Sequence, residues 1–82
     1  MGAPVKLAAG RCRRGIRMAV SLRHSCFGPA HPLYRRLQEI ERRLVELYHI
    51  ARYETESEVT TEQWQDLSQL MRQLRLIRRE VA

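Results

Sequence analysis

The stretch Pro32-Leu33-Tyr34-Arg35-Arg36-Leu37-Gln38-Glu39-Ile40-Glu41-Arg42-Arg43-Leu44-Val45-Glu46-Leu47-Tyr48-His49-Ile50-Ala51 decides the fold. Its apolar residues Leu33, Leu37, Ile40, Leu44, Leu47 and Ala51 recur in alternating steps of four and three. That is heptad spacing, which lays a single stripe along one side of a helix. Pro32 suits the first helical position, where its missing N–H costs nothing. Tyr34, Val45 and Tyr48 widen the apolar side, while Glu39, Arg43 and Glu46 mark the polar one, with Glu39 and Arg43 in the favoured order for an ion pair four residues apart. An amphipathic helix over about 32–53 follows, roughly 33 Å long.

Downstream, Leu67, Leu70, Leu74, Ile77 and Val81 repeat the same spacing, flanked by Trp64 and Met71. Thr60 followed by Gln63 forms a capping box, with Val59 and Trp64 placed for a hydrophobic staple. Glu62 and Asp66 sit early, and Arg72, Arg75, Arg78 and Arg79 late, as the helix dipole prefers. A helix over about 61–81 is therefore predicted. The two stripes are out of phase: continuing the first would place Glu58, Gln65 and Arg72 in the seam. Glu54-Thr55-Glu56-Ser57-Glu58 between them offers nothing to pack, so residues 54–60 read as a turn, with a bent continuous helix the alternative because the segment holds no Gly or Pro. Residues 31–82 thus read as an all-α, coiled-coil-like antiparallel hairpin.

The chain has 82 residues, a net charge of +6 and 44% apolar residues. A chain this small holds at most one domain and too few walls for an enclosed enzyme cleft. A hairpin alone buries little, and its apolar side chains exceed what one seam needs. Completion by a second copy into a four-helix bundle is the expectation.

Upstream, residues 1–30 carry Lys6, Arg11, Arg13, Arg14, Arg17 and Arg23 and no acid, whereas residues 31–82 balance nine arginines against eight glutamates and Asp66. All the net basicity therefore belongs to the first third. This segment holds all four glycines and two of the three prolines, and reads as a disordered Arg-rich leader or tail. Met18 is a candidate alternative start that would remove most of its charge. An Arg-rich, acid-free leader would also suit an organelle presequence and hence a mitochondrial matrix location. A third alternative is a basic arm in which Arg11, Arg13, Arg14 and Arg17 touch nucleic-acid phosphates or an anionic membrane surface, without the aromatics needed to read bases. No apolar run is long enough to span a membrane, and the two cysteines, Cys12 and Cys26, do not make a disulfide framework. A cytoplasmic, reducing location is expected.

Cys12, His24, Cys26 and His31 lack the close ligand pairs of a zinc site. His49 has no Ser or Cys within a turn to act as a nucleophile, and no Gly-rich phosphate loop occurs. No catalytic residue, metal or cofactor is assigned. Expected instead is a non-enzymatic interaction or adaptor module that contacts itself or another helical protein through Tyr34, Tyr48, Trp64 and Met71, the side-chain types favoured at such contacts.

Two short stretches resemble known families. Leu33-Tyr34-Arg35, followed by Leu37, Arg42 or Arg43, and Leu44, resembles the opening of the LYR-motif mitochondrial adaptor proteins, which would imply a small helical regulator; the later phenylalanine of that family has no counterpart. Leu67-Ser68-Gln69 is similar to the Ser-Gln-x-Leu-Asp segment of the helical-hairpin phosphatases of sporulation phosphorelays. Met71 and Arg72 stand where that family has leucine and the reactive aspartate, so the resemblance does not carry its chemistry.

Overall fold

The computed structural model describes residues 2–81. In chain order the elements are a two-residue strand β1 (Ala3–Pro4), helix α1 (Val5–Ser25), helix α2 (Pro32–His49) and a π-helical turn (Ile50–Glu54), then strand β2 (Glu58–Val59) and helix α3 (Thr61–Arg79). The all-α expectation holds. The molecule is a bundle of three helices with a minimal two-stranded antiparallel pairing, Ala3 opposite Val59 and Pro4 opposite Glu58.

The disordered leader expected over residues 1–30 is not what the structure shows: α1 is the longest helix, 21 residues. The physical reason lies in its buried positions, Ala8, Cys12, Gly15, Ala19 and Leu22. These too step by four and three, but all except Leu22 are small, so a search for large apolar residues does not register them. The prolines bracket the helix at Pro4 and Pro29 and leave its interior free, where Ala, Leu, Arg, Met and Lys favour helix. Met18 lies inside α1, partly buried against the core.

At Gly15 a Cβ would stand 2.6 Å from the Met71 sulfur and 2.8 Å from Leu44 Cδ1. The absent side chain is what admits α2 and α3 so close to α1. The seam expected to face a second copy is thus filled by a helix of the same chain, and the two-helix body becomes a three-helix one. Direction follows from the cross-helix contacts. Arg43 Nε donates to Asp66 Oδ2 at 2.7 Å and Arg36 Nη2 to Gln73 Oε1 at 2.7 Å, so numbers fall along α3 as they rise along α2. Arg23 Nη2 donates to Glu41 Oε1 at 2.6 Å, while Gly15 meets Leu44, so α1 also opposes α2. Helices α1 and α3 consequently run the same way.

The core is built from Leu37, Ile40, Leu44 and Leu47 of α2 and Leu67, Leu70, Met71, Leu74 and Ile77 of α3 against the small stripe of α1. Both large-residue stripes match the sequence except at their ends. Leu33 is only partly buried, and Val81 lies exposed beyond the end of α3. Helix α2 starts with Pro32 in the first turn, and the Leu33 N–H donates to His31 Nδ1 at 3.1 Å. The capping box at α3 is present in full: Gln63 N–H donates to Thr60 Oγ1 at 3.0 Å, and Thr60 N–H to Gln63 Oε1 at 2.8 Å.

Two details differ from expectation. Arg43 pairs with Asp66 and Glu46, not Glu39, which lies 3.8 Å from Arg36 instead. The end of α2 widens into the π turn, where the Thr55 hydroxyl donates to the Ile50 carbonyl at 2.7 Å and satisfies an acceptor that the helix end leaves open. At the other end Phe27 is buried and stacks beside His31, ring centroids 4.6 Å apart, closing the bundle under the α1–α2 connection. The Val5 N–H donates to the Ser57 carbonyl at 3.0 Å and fastens the start of α1 beside the start of α3.

Candidate functional site

Folding of α1 redistributes the charge. The helix carries Lys6, Arg11, Arg13, Arg14, Arg17 and Arg23 without one acid, so its cations can be neutralised only from other parts of the chain. Arg23 is neutralised. Its guanidinium donates to Glu41 and, at 3.4 Å, to the Tyr34 hydroxyl, and those two bonds hold its pKa above the ordinary arginine value, Tyr34 contributing most. The Arg43 pKa is likewise held up by the hydrogen bonds it donates to Asp66 first and Glu46 second. Both ion pairs lie on the α2 side of the molecule.

By contrast, Arg11, Arg13, Arg14 and Arg17 of α1 and Arg72, Arg75, Arg78 and Arg79 of α3 form no salt bridge among the described residues. The cause is compositional. The acids of α3, Glu62 and Asp66, lie in its first two turns, and Asp66 is committed to Arg43. Because α1 and α3 run parallel, the acid-free second half of α3 lies alongside the acid-free α1. Arg35 and Arg42 on α2 also lack an ion pair, but they share their surface depression with Glu39.

Between α1 and α3 the surface dips into an open cleft of about 330 Å³ lined by Arg11, Arg14, Ser68, Met71 and Arg75. Three cations and a hydroxyl thus surround one depression floored by a buried methionine. Arg11 is oriented by Trp64, its guanidinium carbon standing 4.9 Å from the ring centroid, a cation–π arrangement. Sequence reasoning names Arg11, Arg14, Trp64 and Met71 separately but does not join them, and it misses Ser68 and Arg75 as cleft-lining groups. The small-residue stripe of α1 is the signal that would have placed these residues side by side.

The four residues expected to contact a protein partner are largely engaged within the chain. Met71 is buried under Gly15, Trp64 lies beneath Arg11, and Tyr34 lies beneath Arg23 with its ring centroid 5.6 Å from that guanidinium. Tyr48 is partly buried against the core. The Leu33-Tyr34-Arg35 tripeptide opens α2 with Leu33 and Tyr34 partly buried, and Arg72 on α3 is exposed. Cys12 is buried in the seam and Cys26 exposed, both as free thiols. Among the described residues no three His, Cys, Asp or Glu side chains come together as a metal site, and no helix is long and apolar enough to cross a membrane.

An interior void of about 10 Å³, bounded by Ala8, Cys12, Leu47, Ile50, Val59, Gln63 and Leu67, has room for one water at most. Burial in its wall pushes the Cys12 thiol up to about 11, partly offset by a backbone hydrogen bond. Such a thiol is protonated at neutral pH and unreactive. What the geometry defines is a small helical bundle with an arginine-lined cleft between α1 and α3. No protein-family model, curated protein or solved structure matches the chain.

Proposed function

We propose that this chain is a small non-enzymatic binding module that grips the phosphate backbone of a nucleic acid through the basic face of α1 and α3. The observation that carries this is the run of arginines on two adjacent, parallel helices that form no salt bridge among the described residues. Arginine guanidinium groups pair phosphate oxygens in bidentate fashion, and an ordered helical face positions them better than a disordered arm. Affinity would come mainly from displaced counterions, so it should collapse with salt. If four arginines engage phosphates, log K falls with log salt at a slope of about −3.6, about a hundredfold between 50 and 200 mM. Fluorescence anisotropy of labelled DNA with the full chain at several salt concentrations measures it. Weak binding that ignores salt contradicts the proposal.

A second reading keeps the adaptor role, with another helical protein or a second copy as partner. It is favoured by apolar side chains left outside the bundle on the far side, Val45 at 40% and Tyr53 at 67% exposure. Val45 lines an open depression of about 390 Å³ with Glu46, His49, Ile50 and Glu54. Light scattering after size exclusion tests the self-association form: a dimer that Tyr53→Ser disrupts supports it, and a monomer at all concentrations removes it.

A further inference from the structure

We infer that the cleft between α1 and α3 seats a backbone phosphate of a nucleic-acid duplex, clasped by Arg11, Arg14 and Arg75 with Ser68 donating a hydroxyl. The inference rests on the nucleic-acid reading and narrows it to one seat and one form of nucleic acid.

Three arginines bordering one depression of about 330 Å³ repel one another, and no carboxylate of the described residues relieves them. The fold nevertheless holds them there, because Gly15 lets α1 close onto Met71 and Leu44 and thereby brings Arg14 to the rim opposite Arg75. An anion between them converts mutual repulsion into paired attraction. The chemistry fits a phosphate diester: fork-shaped donors arrive from two helices, a neutral hydroxyl stands beside them, and Met71 floors the cleft with no acceptor strong enough to compete.

The choice of duplex over single strand follows from the aromatics. Single-strand binders line a basic groove with rings on which successive bases stack. Among the described residues of α1 and α3 the sole Phe, Tyr or Trp is Trp64, and Arg11 lies over its ring. Tyr34, Tyr48 and Tyr53 belong to α2 and the π turn, and Phe27 is buried. Nothing on the basic face offers a stacking row, so contact is with phosphates and carries no base preference.

Trp64 is also the chain's single tryptophan and reports on Arg11 directly. A phosphate entering the cleft draws the Arg11 guanidinium from the ring and changes the emission. The experiment titrates the full chain with a mixed-sequence 16-base-pair DNA duplex and with a single strand of equal length, following Trp64 fluorescence and the anisotropy of a label on the DNA. The expected result is duplex binding with a Trp64 change, and single-strand binding at least tenfold weaker. In the Arg14→Ala, Arg75→Ala variant, the salt slope should fall by about 2 and the Trp64 change should shrink or vanish. Arg72→Ala weakens binding without altering the Trp64 response. These substitutions lie on the surface, and circular dichroism confirms an unchanged helix content before the comparison is made. Binding by anisotropy with a silent Trp64 and an unchanged slope in the double variant overturns the cleft while leaving the basic face standing. Equal affinity for single strand and duplex overturns the choice of duplex. No binding to either DNA at low salt overturns both the seat and the nucleic-acid reading.

Discussion

Helices α1 and α2 bury stripes of identical spacing by opposite means. In α2 the seam is Leu37, Ile40, Leu44 and Leu47; in α1 it is Ala8, Cys12, Gly15, Ala19 and Leu22. The first fills space with branched side chains, each contributing about 1.5 to 3 kcal/mol when buried. The second has little to bury and gains instead by letting its backbone approach, so that side chains of the neighbouring helices pack onto α1 itself. A large-residue seam tolerates small errors of position, whereas a small-residue seam depends on fit. Helix α1 is accordingly fastened at both ends, by the Val5–Ser57 hydrogen bond at its start and the Arg23–Glu41 ion pair near its finish.

Substitutions can break or sharpen that contrast, and the largest effect is expected where the two stripes meet. Leu44 is fully buried beneath Gly15, so Leu44→Ala should cost about 2 to 5 kcal/mol, measured by urea denaturation. Because it deprives α1 and α2 of the same contact, the loss should appear as one cooperative transition. Separate melting of α1 would show that the two seams are independent.

Next comes pH. The Cys12 thiol titrates near 9 when the chain is unfolded and about 11 when folded. Below pH 9 both states hold the proton and Cys12 contributes no pH dependence. Between 9 and 11 the unfolded chain loses its proton first, so stability falls as pH rises, by on the order of 2 kcal/mol. Cys12→Ala should remove that part of the alkaline loss. The difference between variant and parent, measured at pH 7 and 10.5, separates it from other groups. An unchanged alkaline loss in the variant would mean that the α1 seam is wet.

Two glycines of α1 should then respond in opposite directions. Gly15→Ala brings a methyl group against Met71 and Leu44 and should destabilise by about 1 to 2 kcal/mol. Since the clash is with the ends of flexible side chains, pairing it with Leu44→Ala should give less than the sum of the two losses. Gly10 has open space where its Cβ would stand, so Gly10→Ala should stabilise by about 0.5 to 1 kcal/mol. Equal effects at the two positions, in thermal melts of otherwise identical chains, would remove the close approach at Gly15 as the basis of α1 docking.

Against these results, the parts of the fold visible in the sequence are those made by large or chemically distinctive residues. The stripes from Leu37 to Leu47 and from Leu67 to Ile77 are periodic in bulky apolar side chains, and the Thr60–Gln63 box is a pair of specific groups at a specific separation. Helix α1 is hidden for the complementary reason. Ala8, Cys12 and Gly15 carry little hydrophobic weight, and glycine counts as a breaker until a neighbour is found that needs its missing Cβ. That neighbour, Met71, lies 56 positions away, and local periodicity has no access to it. The basic character of Arg11, Arg13, Arg14 and Arg17 was legible. The placing of Arg11 and Arg14 beside Arg75 was not, because it depends on α1 and α3 running parallel, which only the packed bundle establishes.

Helix α1 is a structural wall of the bundle, and thus an ordered platform for its arginines. Amide hydrogen exchange on the full chain tests it most directly. Amides from Cys12 to Leu22 are expected to be protected to within about tenfold of those from Leu37 to Leu47, as members of one cooperative unit should be. Exchange of residues 12–22 at the rate of a free chain, with α2 and α3 still protected, would contradict it and return the first third of the molecule to a tail.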